Sequence, residues 1–138
     1  MTPGEQANLA TIRAFYAELW EQGDLSRLPA LMHDDVAFQG TFGQVMRGHD
    51  AFAAYVRSVR MAFSAYHCAL QDVLAQDDRV AARVRFSGRH DAGPFLDAPP
   101  SGRELAWEGV GFFTLEGGRI RHLWVMGDML GLLGQLKG

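Results

Sequence analysis

The stretch Arg79-Val80-Ala81-Ala82-Arg83-Val84-Arg85-Phe86-Ser87-Gly88-Arg89-His90 decides the fold class. Val80, Ala82, Val84, Phe86, Gly88 and His90 form one row of it; Arg79, Arg83, Arg85, Ser87 and Arg89 form the other. Successive side chains of an extended strand point to opposite faces, so the alternation predicts a strand with an apolar inner face and a basic outer one. Going upstream, Asp77-Asp78 reads as a tight polar turn and Tyr66 to Leu74 as a partner strand. Downstream, Asp91 to Gly102 is a loop punctuated by Pro94, Pro99 and Pro100, and Arg103 to Leu115 is a third strand. Gly117-Gly118 suits a hairpin turn, Arg119 to Asp128 is the last strand, and Met129 to Leu136 is a short terminal helix.

The N-terminal half has a different period. Thr2, Pro3 and Glu5 make a helix start with a capping box. Leu9, Ile12, Phe15, Tyr16, Leu19 and Trp20 then recur at helical spacing until Gly23. A short helix carries Leu28, Leu31 and Met32 and closes at His33-Asp34-Asp35. Val36 to Phe38 reads as a short strand, and Gln39 to Gly48 as a glycine-rich loop able to cover a pocket. Asp50 opens a third helix with Phe52, Tyr55, Val56, Val59 and Phe63 inward. Helices first and a four-strand meander second argue for one α+β domain over residues 1–138. Its mainly antiparallel sheet has helices on one side.

Composition narrows the function classes. At 48% hydrophobic and 21% charged residues, the chain can build a core without metal or disulfide staples. A net charge of −3 is a poor match for nucleic acid. The lone Cys68 cannot form an intramolecular disulfide, and the N-terminus lacks a basic start followed by an apolar run. A cytoplasmic protein without a membrane segment is the expectation. There is no His-Glu-x-x-His or Cys-x-x-Cys pair, no glycine-rich phosphate loop and no nucleophile elbow. No metal and no cofactor are therefore expected.

The chemistry is expected on the last strand. Strict alternation puts Ile120, His122, Trp124, Met126 and Asp128 on one face. A carboxylate at the end of an apolar row is costly to bury unless paired or protonated. Inside a pocket, desolvation would raise the pKa of Asp128 and make it a useful general acid or base. The competing reading makes Asp128 the cap of the terminal helix. His90 points inward from its strand and is a second catalytic candidate; it is equally a hydrogen-bonded core histidine. His122 lies roughly 20 Å from Asp128 along an extended strand and cannot touch it without a sharp bend. Tyr16, Tyr55, Phe86, Trp107, Trp124 and His122 are candidates to line a pocket for a small hydrophobic molecule. Which face of Arg103 to Leu115 looks inward stays open.

Ala98-Pro99-Pro100-Ser101-Gly102-Arg103, Gly117-Gly118-Arg119-Ile120, Trp124, Asp128 and Gly131-Leu132-Leu133-Gly134-Gln135-Leu136 together resemble the SnoaL-like polyketide cyclases. The Gly23-Asp24-Leu25 turn fits the same nuclear transport factor two-like fold. That resemblance implies three helices on a strongly curved sheet enclosing a cone-shaped pocket. It implies cofactor-independent ring closure by intramolecular aldol condensation, with Asp128 as acid/base and His90 beside it. It also implies a homodimer formed through the outer face of the sheet. The same fold carries isomerases, dehydratases and plain binding proteins, so a non-catalytic ligand-binding protein is the alternative.

Overall fold

The computed structural model describes residues 1–137. The chain runs α1 (Pro3–Ala14), a π-helical continuation (Phe15–Glu21), a 3-10 turn (Leu25–Arg27), α2 (Leu28–Leu31), β1 (Met32–Gln39), β2 (Val45–Arg47), α3 (Gly48–Arg60), β3 (Ser64–Gln76), β4 (Arg79–His90), β5 (Arg103–Glu116), β6 (Arg119–Gly127) and α4 (Met129–Lys137). The strands form one six-stranded sheet in the order β2-β1-β6-β5-β4-β3. Only β1 and β6 pair in parallel; every other pair is antiparallel. The sheet ends at β2 and β3 and does not close. Helices pack on its inner face, giving the α+β class expected from the residues and the cone that the resemblance implies.

The first helix forms for the reasons its sequence gives. Thr2 Oγ1 accepts from the Glu5 N–H at 3.1 Å, and Glu5 Oε1 accepts from the Thr2 N–H at 2.9 Å. Glu5 Oε2 also accepts from the Asp77 N–H at 2.9 Å, tying the helix start to the β3–β4 turn. These hydrogen bonds hold the Glu5 carboxyl below the usual carboxylate range. Ile12, Phe15, Tyr16, Leu19 and Trp20 are buried against the sheet. Gly23 then turns at φ +70°, a conformation glycine adopts without steric cost.

Two short strands differ from expectation. His33-Asp34-Asp35 lies within β1 rather than closing a helix, because Met32, Val36 and Phe38 are the buried residues of that segment. The glycine-rich stretch holds β2, which pairs with β1 through Phe38 and Met46. Asp50 sits in the first turn of α3; Arg47, in extended backbone, precedes the helix.

The largest correction concerns β6. Leu115 pairs with Ile120, but the next residue of β5, Thr114, pairs with His122. Arg121 is an extra residue, a β-bulge, and an extra residue reverses the phase of everything beyond it. Ile120 and Leu123 are both buried, whereas His122 and Met126 are exposed. The inward row after the bulge is Leu123, Val125 and Gly127, so His122, Trp124 and Asp128 do not face inward as strict alternation predicts. On β5 the inner row is Leu105, Trp107, Gly109, Gly111, Phe113 and Leu115, which leaves Glu108 outside.

Candidate functional site

One cavity of about 420 Å³ opens between the helices and the wide end of the sheet. That volume lies in the range of small-molecule sites. Its walls are aromatic. Tyr16 and Trp20 come from the π-helical segment, Tyr55 from α3, Tyr66 from β3, Phe86 from β4 and Trp107 from β5. The Phe86 and Trp107 rings stack with centroids 5.5 Å apart and planes 22° apart. Trp20 meets Tyr55 edge-on at 5.6 Å. Such arrangements let positive ring edges meet negative faces.

Glycines keep this space open. A Cβ at Gly109 would lie 3.3 Å from the Phe86 ring, and one at Gly111 would lie 2.9 Å from the Phe113 ring and 3.1 Å from the Tyr16 hydroxyl. A larger residue at Gly109 would press on the Phe86 ring of the wall, and one at Gly111 on Phe113 beneath it and on the Tyr16 hydroxyl.

The polar groups of the wall are mostly phenols. Burial pushes the Tyr16, Tyr55 and Tyr66 hydroxyls above the ordinary phenol range, so all three stay protonated and can donate. Burial also pushes the Cys68 thiol up to about 12, and Sγ donates to the Tyr16 carbonyl at 3.1 Å. Burial raises the Glu21 carboxyl, but hydrogen bonds from His67 and the Cys68 N–H outweigh it and leave the group below the usual range.

The mouth is made of two turns and the strand end. The loop residues Thr41, Phe42 and Gln44 form one lip. Opposite, Phe95 and Ala98 exchange two backbone hydrogen bonds of 2.9 Å around Leu96 and Asp97. Both turn residues have positive φ, 50° and 62°, which non-glycine residues rarely adopt. Asp97 is the one carboxylate among the described residues lining the cavity.

The structure brings four of the sequence candidates together: Tyr16, Tyr55, Phe86 and Trp107 all line the cavity. Trp124 lies on the outer face with its ring 5.8 Å from Phe112, and His122 is exposed on that face. Asp128 sits between Gly127 and Met129, which line the cavity, but its exposed side chain turns to α4. Oδ1 accepts from the Gly131 N–H at 2.9 Å, a helix cap. His90 is fully buried beneath the 91–102 loop. Its Nδ1 lies 3.0 Å from Ser101 Oγ and accepts from the Ser101 N–H at 3.4 Å. The ring proton is thereby assigned to Nε2, which has no hydrogen-bond partner. His90 and Asp128 thus have separate partners, Ser101 and Gly131.

Tyr66 and Asp97 are lining residues that the sequence reading missed. Tyr66 carried the signal of a large polar-tipped aromatic at the start of a strand; Asp97, in a proline-rich loop, carried none. Among the described residues no group of three or more His, Cys, Asp or Glu gathers as metal ligands. No helix among them is long and apolar enough to cross a membrane.

Comparison with known structures agrees with this architecture. A candidate SnoaL-like polyketide cyclase from Jannaschia sp. CCS1 superposes with a TM-score of 0.92 at 24% identity, covering 100% of this chain and 96% of that one. TsrD from Streptomyces laurentii gives 0.84 at 28% identity, covering 95% of each chain. IdmH from Streptomyces antibioticus, a candidate polyketide cyclase, gives 0.82 at 24% identity, covering 95% of this chain and 99% of that one. No curated protein matches the chain in sequence. The family model for SnoaL-like polyketide cyclases matches residues 10–136, nearly the whole cone and its cavity. The chain belongs to the SnoaL-like polyketide cyclase family.

Proposed function

We propose that the cavity takes a small, flat, hydrophobic carbonyl compound and that the protein performs cofactor-independent acid–base chemistry on it, an intramolecular aldol condensation or a related enolate reaction. The observation that carries this reading is an aromatic-walled cavity with protonated phenols in its wall and the Asp97 carboxylate at its mouth. A carbon flanked by carbonyls is acidic enough for a carboxylate to deprotonate, and a buried phenol can hold the developing enolate oxygen. The walls would fold the substrate so that the enolate carbon meets a second carbonyl.

Two carboxylates are candidates for the proton transfer. Asp128 is the residue the family pattern singles out; to act it must release the Gly131 N–H and turn past Gly127. Asp97 already lines the mouth. His90 is assigned a positioning role, holding the loop that carries Asp97 through Ser101.

The test is deuterium exchange at the acidic carbon of a set of 1,3-dicarbonyl compounds. Wild type is expected to exchange well above buffer, and Asp128→Asn or Asp97→Asn to lose that excess, which names the base. The outward, capping carboxylate of Asp128 favours a second reading, a non-catalytic carrier of the same class of ligand. Binding without exchange in the wild type would establish that reading and sink the catalytic one.

The assembly is proposed to be a homodimer through the outer sheet face. Phe112, Met126 and Leu74 are 42%, 52% and 71% exposed, and Leu74, Ala81, Phe112 and Trp124 are register neighbours across β3 to β6. A sedimentation run giving only monomer would overturn it. The lone Cys68 supports a cytoplasmic, reducing location.

A further inference from the structure

We infer that Gly109, with its cross-strand partner Gly127, is the size-determining position of the cavity: the side chains missing there leave bare backbone on which the ring system of a ligand lies flat. This rests on the cavity being the binding site and goes on to say which position sets how broad a ligand it admits.

The backbone does not require glycine at either position. Neither has a positive φ, unlike Gly23, Gly117 and Gly118 in their turns. Both lie in regular strand, paired with each other across β5 and β6. Glycine inside a strand costs stability relative to alanine, and it marks places where a ligand or another backbone comes close. The side-chain atom nearest the missing Cβ of Gly109 belongs to the Phe86 ring, at 3.3 Å. Around that of Gly127 lie the Met129 methyl at 2.8 Å and Thr41 Oγ1 at 3.7 Å. Phe86, Met129 and Thr41 all line the cavity, so both missing side chains point among its walls.

Gly111, the next residue of the same inner row, is glycine for a different reason. Its Cβ would lie 2.9 Å from the ring of Phe113, which is fully buried and no part of the cavity wall. Packing excludes a side chain there. At Gly109 the contact is looser, and Phe86 is half-buried and fronts the cavity, so its ring has room to yield. A side chain at 109 therefore fits the protein and takes its volume from the space of the ligand. That space is more than one ring needs. At about 420 Å³ the cavity is roughly three times an engineered one of about 150 Å³ that binds benzene.

The experiment compares 1-indanone with 9-fluorenone, ring ketones that differ by one fused benzo ring. Equilibrium dialysis is run against wild type, Gly109→Ala and Gly109→Val, with thermal melts of these proteins and of Gly111→Ala. Wild type is expected to bind fluorenone more tightly than indanone. Gly109→Ala is expected to weaken fluorenone roughly tenfold and Gly109→Val more, both leaving indanone within about twofold. Alanine is the smaller change and decides the matter even if the valine variant does not fold. Apo Gly109→Ala is expected to melt no lower than wild type, and Gly111→Ala to melt lower. A merely structural role for Gly109 would lower its melting temperature as well, and that result would overturn the inference. So would equal weakening of both ketones, weakening of neither, or a wild type that prefers indanone; each of these leaves the cavity as the site. Failure of both ketones to bind wild type would remove the cavity reading and the inference together.

Discussion

At the end of the sheet formed by the β3–β4 and β5–β6 turns, Val80, Phe113, Leu115 and Ile120 are buried and meet Ile12 and Phe15 from the first helix. At the other end the same strands carry Phe86, Trp107, Gly109 and Gly127, and the helices stand off to leave the cavity. Both ends are apolar and aromatic, and both are reached by the same helical stretch. What separates them is shape. The inner row of β5 reads Phe113 and Leu115 at the packed end but drops to Gly109 beside Trp107 at the open one. Hydrophobicity thus sets which face is inside, and side-chain volume sets whether the inside is filled.

That contrast predicts unequal stability costs for like substitutions. Phe113→Ala should destabilise by roughly 3–5 kcal/mol, since it opens a void among packed rings, including Phe15 at 5.4 Å. Phe86→Ala, at a wall already facing space, should cost about 1–2 kcal/mol and chiefly weaken ligand binding. Urea denaturation of the two variants measures this, and equal losses would break the distinction between the ends.

A smaller effect is expected at the mouth. Asp128→Ala should cost about 1 kcal/mol through loss of the cap on α4, and Asp128→Asn almost nothing, because asparagine caps equally well. The asparagine variant then separates the cap from any acid–base role. If both variants unfold alike in denaturant, the cap is not what holds that carboxylate outward.

The smallest effect belongs to the packed end. The Glu5 carboxyl is held below its usual range by the Thr2 and Asp77 N–H groups, so its folded pKa lies below its unfolded one. Its contribution is fully present above the unfolded carboxylate pKa and is lost as pH falls through the lower folded value. Thermal melts across the acid range should show Glu5→Gln flattening that limb. An unchanged acid limb would mean the Glu5 contacts add nothing to the closed end.

Much of the architecture was legible because local signals agreed. The capping box at Thr2 and Glu5, the helical spacing from Ile12 to Trp20 and the alternation from Val80 to His90 are each set by nearby residues. β2 was not legible, since three residues within a glycine-rich run become a strand only when β1 lies beside them. Of the candidate site, the aromatics on regular segments, Tyr16, Tyr55, Phe86 and Trp107, were readable as lining residues. His122, Trp124 and Asp128 were assigned the wrong face because a bulge is a relation between two strands, and nothing in Arg119 to Gly127 alone marks Arg121 as the surplus residue. Asp97 was hidden for a related reason: its place at the mouth comes from a tight turn closed by Phe95 and Ala98, not from any period.

The Arg121 bulge has a consequence for how such pockets diversify. Beyond it, β6 carries two linings, Leu123 and Val125 on one side, Trp124 and Met126 on the other, and a single surplus residue chooses between them. A change of length by one therefore exchanges a whole lining at a stroke, whereas point substitution would have to rebuild it position by position. For protein engineers, the length of this strand is as much a design variable as its residues.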